Sequence, residues 1–104
     1  MIFRRGRFAD VIRRQLELFE RDYADLIADV AAAERAYDEA DRDEAEERYS
    51  EYADLVEDGT EALADIRDAF RRTLGEPADE EYEAAFNRAV KRRLPRFGLE
   101  IDLR

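Results

Sequence analysis

The side chains that could support metal chemistry in this 104-residue chain are closely spaced carboxylates. Glu17 and Glu20 form one pair, and Glu51 and Asp54 form another, with the three-residue spacing that puts both carboxylates on one helix face. A carboxylate- and metal-dependent hydrolase is therefore one candidate function. In the helical arrangement predicted below, the two pairs lie roughly 16 Å apart. They cannot share an ion whose oxygen ligands lie about 2–2.6 Å away, so we expect no metal, no cofactor and no enzymatic activity.

Other catalytic chemistry has little support in the composition. Histidine and cysteine are absent, which removes the commonest general base, the thiolate nucleophile and the main transition-metal ligands. Ser50 is the only serine, and the four glycines form no phosphate-binding loop. The longest apolar run, Val30–Ala33, is far too short to span a bilayer. We expect a cytoplasmic protein, and the lack of cysteine suits a reducing compartment.

Positive charge is concentrated at the two ends of an otherwise acidic chain. The formal net charge is −10, yet residues 1–14 and residues 88–104 each carry +4, which leaves −18 on residues 15–87. One interpretation is an accessory factor that binds nucleic acid or an anionic membrane surface. The other interpretation is that the basic ends neutralise the acidic body within the molecule. We favour this second interpretation, because the acidic body would repel a phosphate backbone. The candidate phosphate contacts are Arg4, Arg5, Arg7, Lys91, Arg92 and Arg93.

The C-terminal residues 95–104 differ in pattern from the rest of the chain. Leu99, Ile101 and Leu103 alternate with acidic residues, the period of two that is typical of extended chain. We predict an extended tail that either folds back over the helices or docks on a partner. Folding back is the favoured alternative, but the tail is still the best candidate for partner binding. Its candidate partner-binding residues are Phe97, Leu99, Ile101 and Leu103.

Two heptad patterns predict the helices that position these features. Apolar residues recur at alternating steps of four and three from Ile12 to Tyr37, and again from Ala45 to Phe70. The acidic residues 38–44 separate the two patterns and suit a short turn. We therefore predict a long, antiparallel, coiled-coil-like hairpin, with helix 1 at about 8–38 and helix 2 at about 44–74.

A near-repeat within this hairpin is explained by packing. The segments YADLIAD, which begins at Tyr23, and YADLVED, which begins at Tyr52, occupy the same heptad frame on opposite helices. If the turn centres on Asp41, Tyr23 faces Gly59, and Tyr37 and Tyr49 face alanines. Large side chains against small ones keep a seam of constant width. We therefore predict that Gly59 lies inside a continuous helix and makes room for Tyr23.

A third helix completes the predicted fold. Gly75 and Pro77 mark a stop, and the apolar residues Tyr82, Phe86 and Val90 predict helix 3 at about 79–94, before the tail at 95–104. This helix is too short to cover the whole hairpin. The half near the turn is therefore expected to self-associate, as a dimer or higher homo-oligomer, or to bind a protein partner. The prediction is a single all-α domain over residues 1–104, a non-enzymatic interaction, adaptor or assembly protein that acts through its helix faces and C-terminal tail.

Overall fold

The computed structural model describes residues 6–104, and their regular structure is entirely helical, which confirms the predicted all-α class. Over this part of the chain, no helix is both long and apolar enough to cross a membrane. The helices are α1 (Ala9–Asp22), α2 (Ala24–Asp38), α3 (Arg42–Arg71), α4 (Ala78–Arg93) and α5 (Pro95–Gly98), and a 3₁₀ turn follows at Ile101–Leu103.

The first predicted helix, at about 8–38, is divided at Tyr23 into α1 and α2. Tyr23 has φ −113° and ψ 27°, outside the helical range, although its N–H still donates to the carbonyl of Phe19 at 2.8 Å. Its ring stacks on that of Phe19, with centroids 4.9 Å apart, and is 39% exposed. The heptad spacing continues unbroken through this position. For that reason the apolar pattern could not reveal the bend.

The second predicted helix is a single continuous helix, α3, that passes through Gly59. Gly59 is buried, but the ring that occupies the space above it belongs to Phe97 of α5. A Cβ atom built on Gly59 would lie 2.3 Å from Cε1 of Phe97. The predicted pairing of Gly59 with Tyr23 is therefore wrong, because that pairing considered only the two long helices and not the tail.

The core is concentrated in one half of the molecule, where α1, the C-terminal half of α3, α4 and α5 meet. By contrast, no residue between Val30 and Gly59 is buried, although α2 and α3 pack extensively on each other there. We call residues 31–58 the α2–α3 tip. The buried apolar residues are Phe8, Ile12, Leu16, Phe19, Val30, Leu63, Ala64, Tyr82, Phe86, Ala89, Val90, Phe97 and Ile101.

The C-terminal residues 95–104 are not extended, and this part of the prediction is corrected by the structure. They form α5 and the 3₁₀ turn, which fold back onto α3 and α4. An alternation of period two also contains residues four apart, and Phe97 and Ile101 use that spacing to enter the core on successive helical turns. Pro95 starts α5 at a position where its missing N–H costs no helical hydrogen bond.

Candidate interaction surfaces

A buried arginine, Arg67 of α3, holds the C-terminal turn against the core. Its side chain is 1% exposed, and Nη1 donates to the carbonyl of Ile101 at 3.1 Å and to Oδ1 of Asn87 at 3.0 Å. Nη2 donates to the carbonyl of Arg104 at 2.7 Å. One rigid guanidinium therefore links α3, α4 and the 3₁₀ turn, a task that requires several donors in a fixed fork.

The charge of Arg67 is compensated by two carboxylates. Its Nε donates to Asp68 at 2.9 Å and lies 3.6 Å from an oxygen of Glu83. Within residues 6–104, no buried side-chain nitrogen or oxygen lacks a hydrogen-bond partner. A fully partnered buried cation fixes the geometry of the turn. Sequence patterns do not reveal this role, because Arg67 is one of 17 arginines and lies just outside the heptad positions.

Leu99 and Leu103 project from this anchored turn into solvent, with 88% and 82% of their surface exposed. We call them the leucine pair. The four predicted partner-binding residues therefore divide: Phe97 and Ile101 lie in the core, and the leucine pair lies outside. No other large apolar side chain of residues 6–104 is as exposed as these two.

Ion pairs to α3 and α4 secure the turn further. Lys91 of α4 donates to Asp102, and this bond holds the pKa of the Asp102 carboxyl below its usual value. Arg104 lies 3.6 Å from a carboxylate oxygen of Glu57 on α3. The leucine pair therefore lies on a turn that is held to both α3 and α4 by ion pairs.

Most of the predicted phosphate contacts that the structure describes have carboxylate partners. Arg4 and Arg5 lie outside the described residues. Arg93 binds Glu20 of α1 through two hydrogen bonds, of 2.7 and 3.1 Å. Arg92 is different, since its side chain makes no hydrogen bond or ion pair with a described residue. The remaining partners are Glu81 for Arg7, at 3.6 Å, and Asp102 for Lys91.

Arg92 borders a groove between α1 and α4 that we call the arginine groove. It has a volume of about 380 Å³ and is lined by four arginines. The side chain of Arg88, like that of Arg92, makes no hydrogen bond or ion pair with a described residue. Among residues 6–104, no aspartate or glutamate lines it. The arrangement suits an acidic ligand with an apolar part. The groove is lined by Gly6, Ala9, Ile12, Arg13, Leu16, Ala85, Arg88, Ala89, Arg92 and Arg93.

The α2–α3 tip carries the opposite charge and a cluster of tyrosines. Residues 37–49 include seven acidic residues and two arginines. Tyr37 and Tyr49 are 39% and 54% exposed, and their rings contact each other edge to face, with centroids 5.4 Å apart. Tyr52 lies next to Tyr49, and its pKa is raised by partial burial and by the charge of Glu34. The predicted register had instead placed Tyr37 and Tyr49 against alanines.

The two carboxylate pairs considered for metal binding lie on different helices. Glu17 and Glu20 are on α1, where Glu17 pairs with Arg13 at 3.5 Å and Glu20 with Arg93. Glu51 and Asp54 are on α3. Within the described chain, no three acidic side chains are grouped closely enough to hold a metal ion.

Comparison with known proteins adds nothing to this description of the surfaces. The chain matches no protein-family model, no curated protein and no solved structure. Function is therefore inferred from the leucine pair, the arginine groove and the α2–α3 tip.

Proposed function

We propose that this chain is a non-enzymatic interaction protein, an adaptor or assembly factor that binds a protein partner through the leucine pair. The observation that carries the proposal is the contrast within one short segment: Phe97 and Ile101 are buried, while Leu99 and Leu103 are 88% and 82% exposed. Covering a leucine side chain contributes about 1.5–3 kcal/mol. Two such side chains on a fixed turn give a partner a compact apolar anchor.

The anchoring of the turn supports this proposal. A flexible tail loses conformational entropy when it binds, whereas a segment that is already ordered does not incur this cost again. Arg67, Lys91 and the two buried tail residues order the turn in the free protein. The tail would therefore act as a preformed surface rather than as a flexible peptide.

We also propose that α2 and α3 act as an antiparallel, coiled-coil-like hairpin that extends the tip away from the core, and that the protein works in the cytoplasm as a homo-oligomer. Binding of nucleic acid or anionic lipid is the less supported alternative. Carboxylates already pair with Arg7, Lys91 and Arg93, and a phosphate group would have to displace these carboxylates in order to bind.

Point substitutions test the leucine pair more cleanly than truncation. A chain that ended at Arg96 would lose Phe97 and Ile101 from the core. We therefore compare the wild-type chain with Leu99→Ser/Leu103→Ser, and with Leu99→Met/Leu103→Met as a control that keeps the apolar surface. Each protein is used to capture partners from the lysate of its native host, with chemical cross-linking and mass spectrometry.

The expected result is a partner that the wild-type and methionine proteins capture and the serine protein does not. Once the partner is purified, the serine protein should bind it at least about 100-fold more weakly, from the loss of two buried leucines. If the three proteins capture the same set with equal efficiency, the leucine pair is not the binding surface.

A further inference from the structure

We infer that the α2–α3 tip of one copy of this protein docks into the arginine groove of a second copy, which produces head-to-tail self-association. The inference rests on the proposed homo-oligomer, for which it names the interface, and it uses surfaces other than the leucine pair. Partner binding through the leucine pair can therefore hold while this inference fails, and the reverse is also true.

The groove provides uncompensated positive charge in a strongly acidic protein. Arg88 and Arg92 lie four residues apart, on one face of α4, and neither has a carboxylate partner among the described residues. The net charge of the chain is −10, and many of its arginines do have such partners. A cationic rim beside the partly exposed apolar side chains of Ala9 and Ala85 is complementary to a ligand that is both acidic and aromatic.

The tip has this chemistry. Residues 37–49 carry a net charge of −5, and Tyr37 and Tyr49 stand half-exposed among the carboxylates. Tyrosine is enriched at protein interfaces because its ring is apolar while its hydroxyl bonds to polar groups. Arginine pairs with carboxylates and also stacks on aromatic rings. The tip therefore supplies carboxylates and tyrosine rings, and the groove supplies the arginines and apolar side chains that bind them.

Geometry makes the contact intermolecular. The molecule is elongated, with extents of 53 × 31 × 22 Å, and the groove is in the half that holds the core. Tyr49 is separated from Leu63, in the core, by a stretch of α3 that is about 21 Å long. The tip of one copy is therefore remote from its own groove. The groove volume of about 380 Å³ is within the range of sites that accept small ligands, so it can receive tyrosine side chains.

The net charge of the protein sets the conditions of the test. Two copies at −10 repel each other at long range, but at physiological ionic strength the Debye length is about 8 Å. Contacts between arginine and carboxylate groups persist under these conditions, while the repulsion between the bodies is screened. Self-association should therefore be measured at physiological salt.

The experiment is sedimentation velocity of the full chain up to millimolar concentration. The groove variant is Arg88→Glu/Arg92→Glu, and the tip variant is Tyr37→Ser/Tyr49→Ser. Glu46→Lys/Glu47→Lys is a second tip variant that leaves the tyrosine contact intact. The control is Arg72→Glu, an exposed arginine outside the groove that also has no partner among the described residues. Circular dichroism establishes that each variant is folded.

The wild-type and control proteins should associate as concentration rises, and each groove or tip variant should associate at least about 10-fold more weakly. Mixing the groove variant with a tip variant should restore a single interface, formed by the intact tip of one and the intact groove of the other. The mixture should therefore stop at a 1:1 heterodimer.

Three results would overturn the inference: a wild-type protein that stays monomeric, variants that associate as the wild type does, or a mixture that forms no heterodimer. An equal loss in Arg72→Glu would overturn it too, because net charge alone would then control association. The variant Leu99→Ser/Leu103→Ser should self-associate normally, which separates this test from the test of partner binding through the leucine pair.

Discussion

Replacing Gly59 with alanine should destabilise the protein, even though alanine is the better helix former. The new Cβ atom would lie 2.3 Å from Cε1 of Phe97 and 2.8 Å from its Cδ1 and Cζ atoms, so the ring would have to move. Phe97 is 3% exposed, and its ring packs edge to face against Phe19, with centroids 5.9 Å apart. Little space is left for that movement.

The expected magnitude comes from two opposing effects. Overpacking of a core costs about 1–3 kcal/mol, and replacing a helical glycine with alanine recovers about 1 kcal/mol. Gly59→Ala should therefore lower the free energy of unfolding by about 1 kcal/mol. In a Phe97→Ala protein the ring is absent, and the same substitution should raise the free energy of unfolding by up to about 1 kcal/mol.

Urea unfolding followed by far-ultraviolet circular dichroism measures the four proteins of this double-mutant cycle. Gly75→Ala is the control, because a Cβ atom there would have no atom within 4 Å other than those of Gly75 itself and its two chain neighbours. The effect of Gly59→Ala on the free energy of unfolding should change sign between the wild-type and Phe97→Ala backgrounds. If Gly59→Ala stabilises both proteins equally, Phe97 does not rest on Gly59, and the position of α5 described above is refuted.

Two further predictions concern buried polar groups. Arg67→Met should lower the free energy of unfolding by about 1–3 kcal/mol for each buried acceptor that loses its donor, namely Oδ1 of Asn87 and the carbonyl of Ile101. Urea unfolding measures the loss, hydrogen exchange should accelerate at the amides of residues 97–104, and unchanged exchange there would contradict the anchoring role of Arg67. Burial raises the pKa of Tyr82 to about 12, whereas the pKa of a tyrosine in the unfolded chain is about 10. The buried, neutral hydroxyl of Tyr82 should therefore contribute fully to the free energy of unfolding below about pH 10, and this contribution should be lost as the pH rises through about 12. A pKa difference of two units between the folded and unfolded states corresponds to about 2.7 kcal/mol. Solvent near Gln15, the half-buried hydrogen-bond partner of Tyr82, should reduce the loss of unfolding free energy to about 2 kcal/mol. Tyr82→Phe should show a shallower decline over this pH range, and identical declines would count against the shift.

Local patterns predicted the all-α class well, because each of the longer helices carries a strong signal of its own. Helix 3 was predicted at about 79–94 and is observed at Ala78–Arg93, between a glycine-proline stop and a second proline. Ile12, Leu16 and Phe19 occupy heptad positions and are buried. These features depend on residues close together in the sequence.

The features that could not be predicted depend on contacts between distant residues. Phe97 reaches Gly59 only because the tail folds back, and Arg67 bonds to Ile101, which is 34 residues away. The alternating residues of the C-terminal tail are compatible with an extended strand and with helical turns. The tail forms helical turns because these bury Phe97 and Ile101 in the core. The surfaces proposed for binding follow from this choice, since it left Leu99 and Leu103 outside.

The absence of buried residues between Val30 and Gly59 has a thermodynamic consequence. Local opening costs little where few apolar contacts are lost, and approaches the full cost of global unfolding in the core. Helix α3 extends through both environments, so its 30 residues belong to two cooperative units although its backbone is continuous. The N-terminal half of α3, next to the turn that joins it to α2, can therefore open while the C-terminal half stays ordered. A partner that covered the tip would therefore protect that end of the helix and leave the opening of the core unchanged.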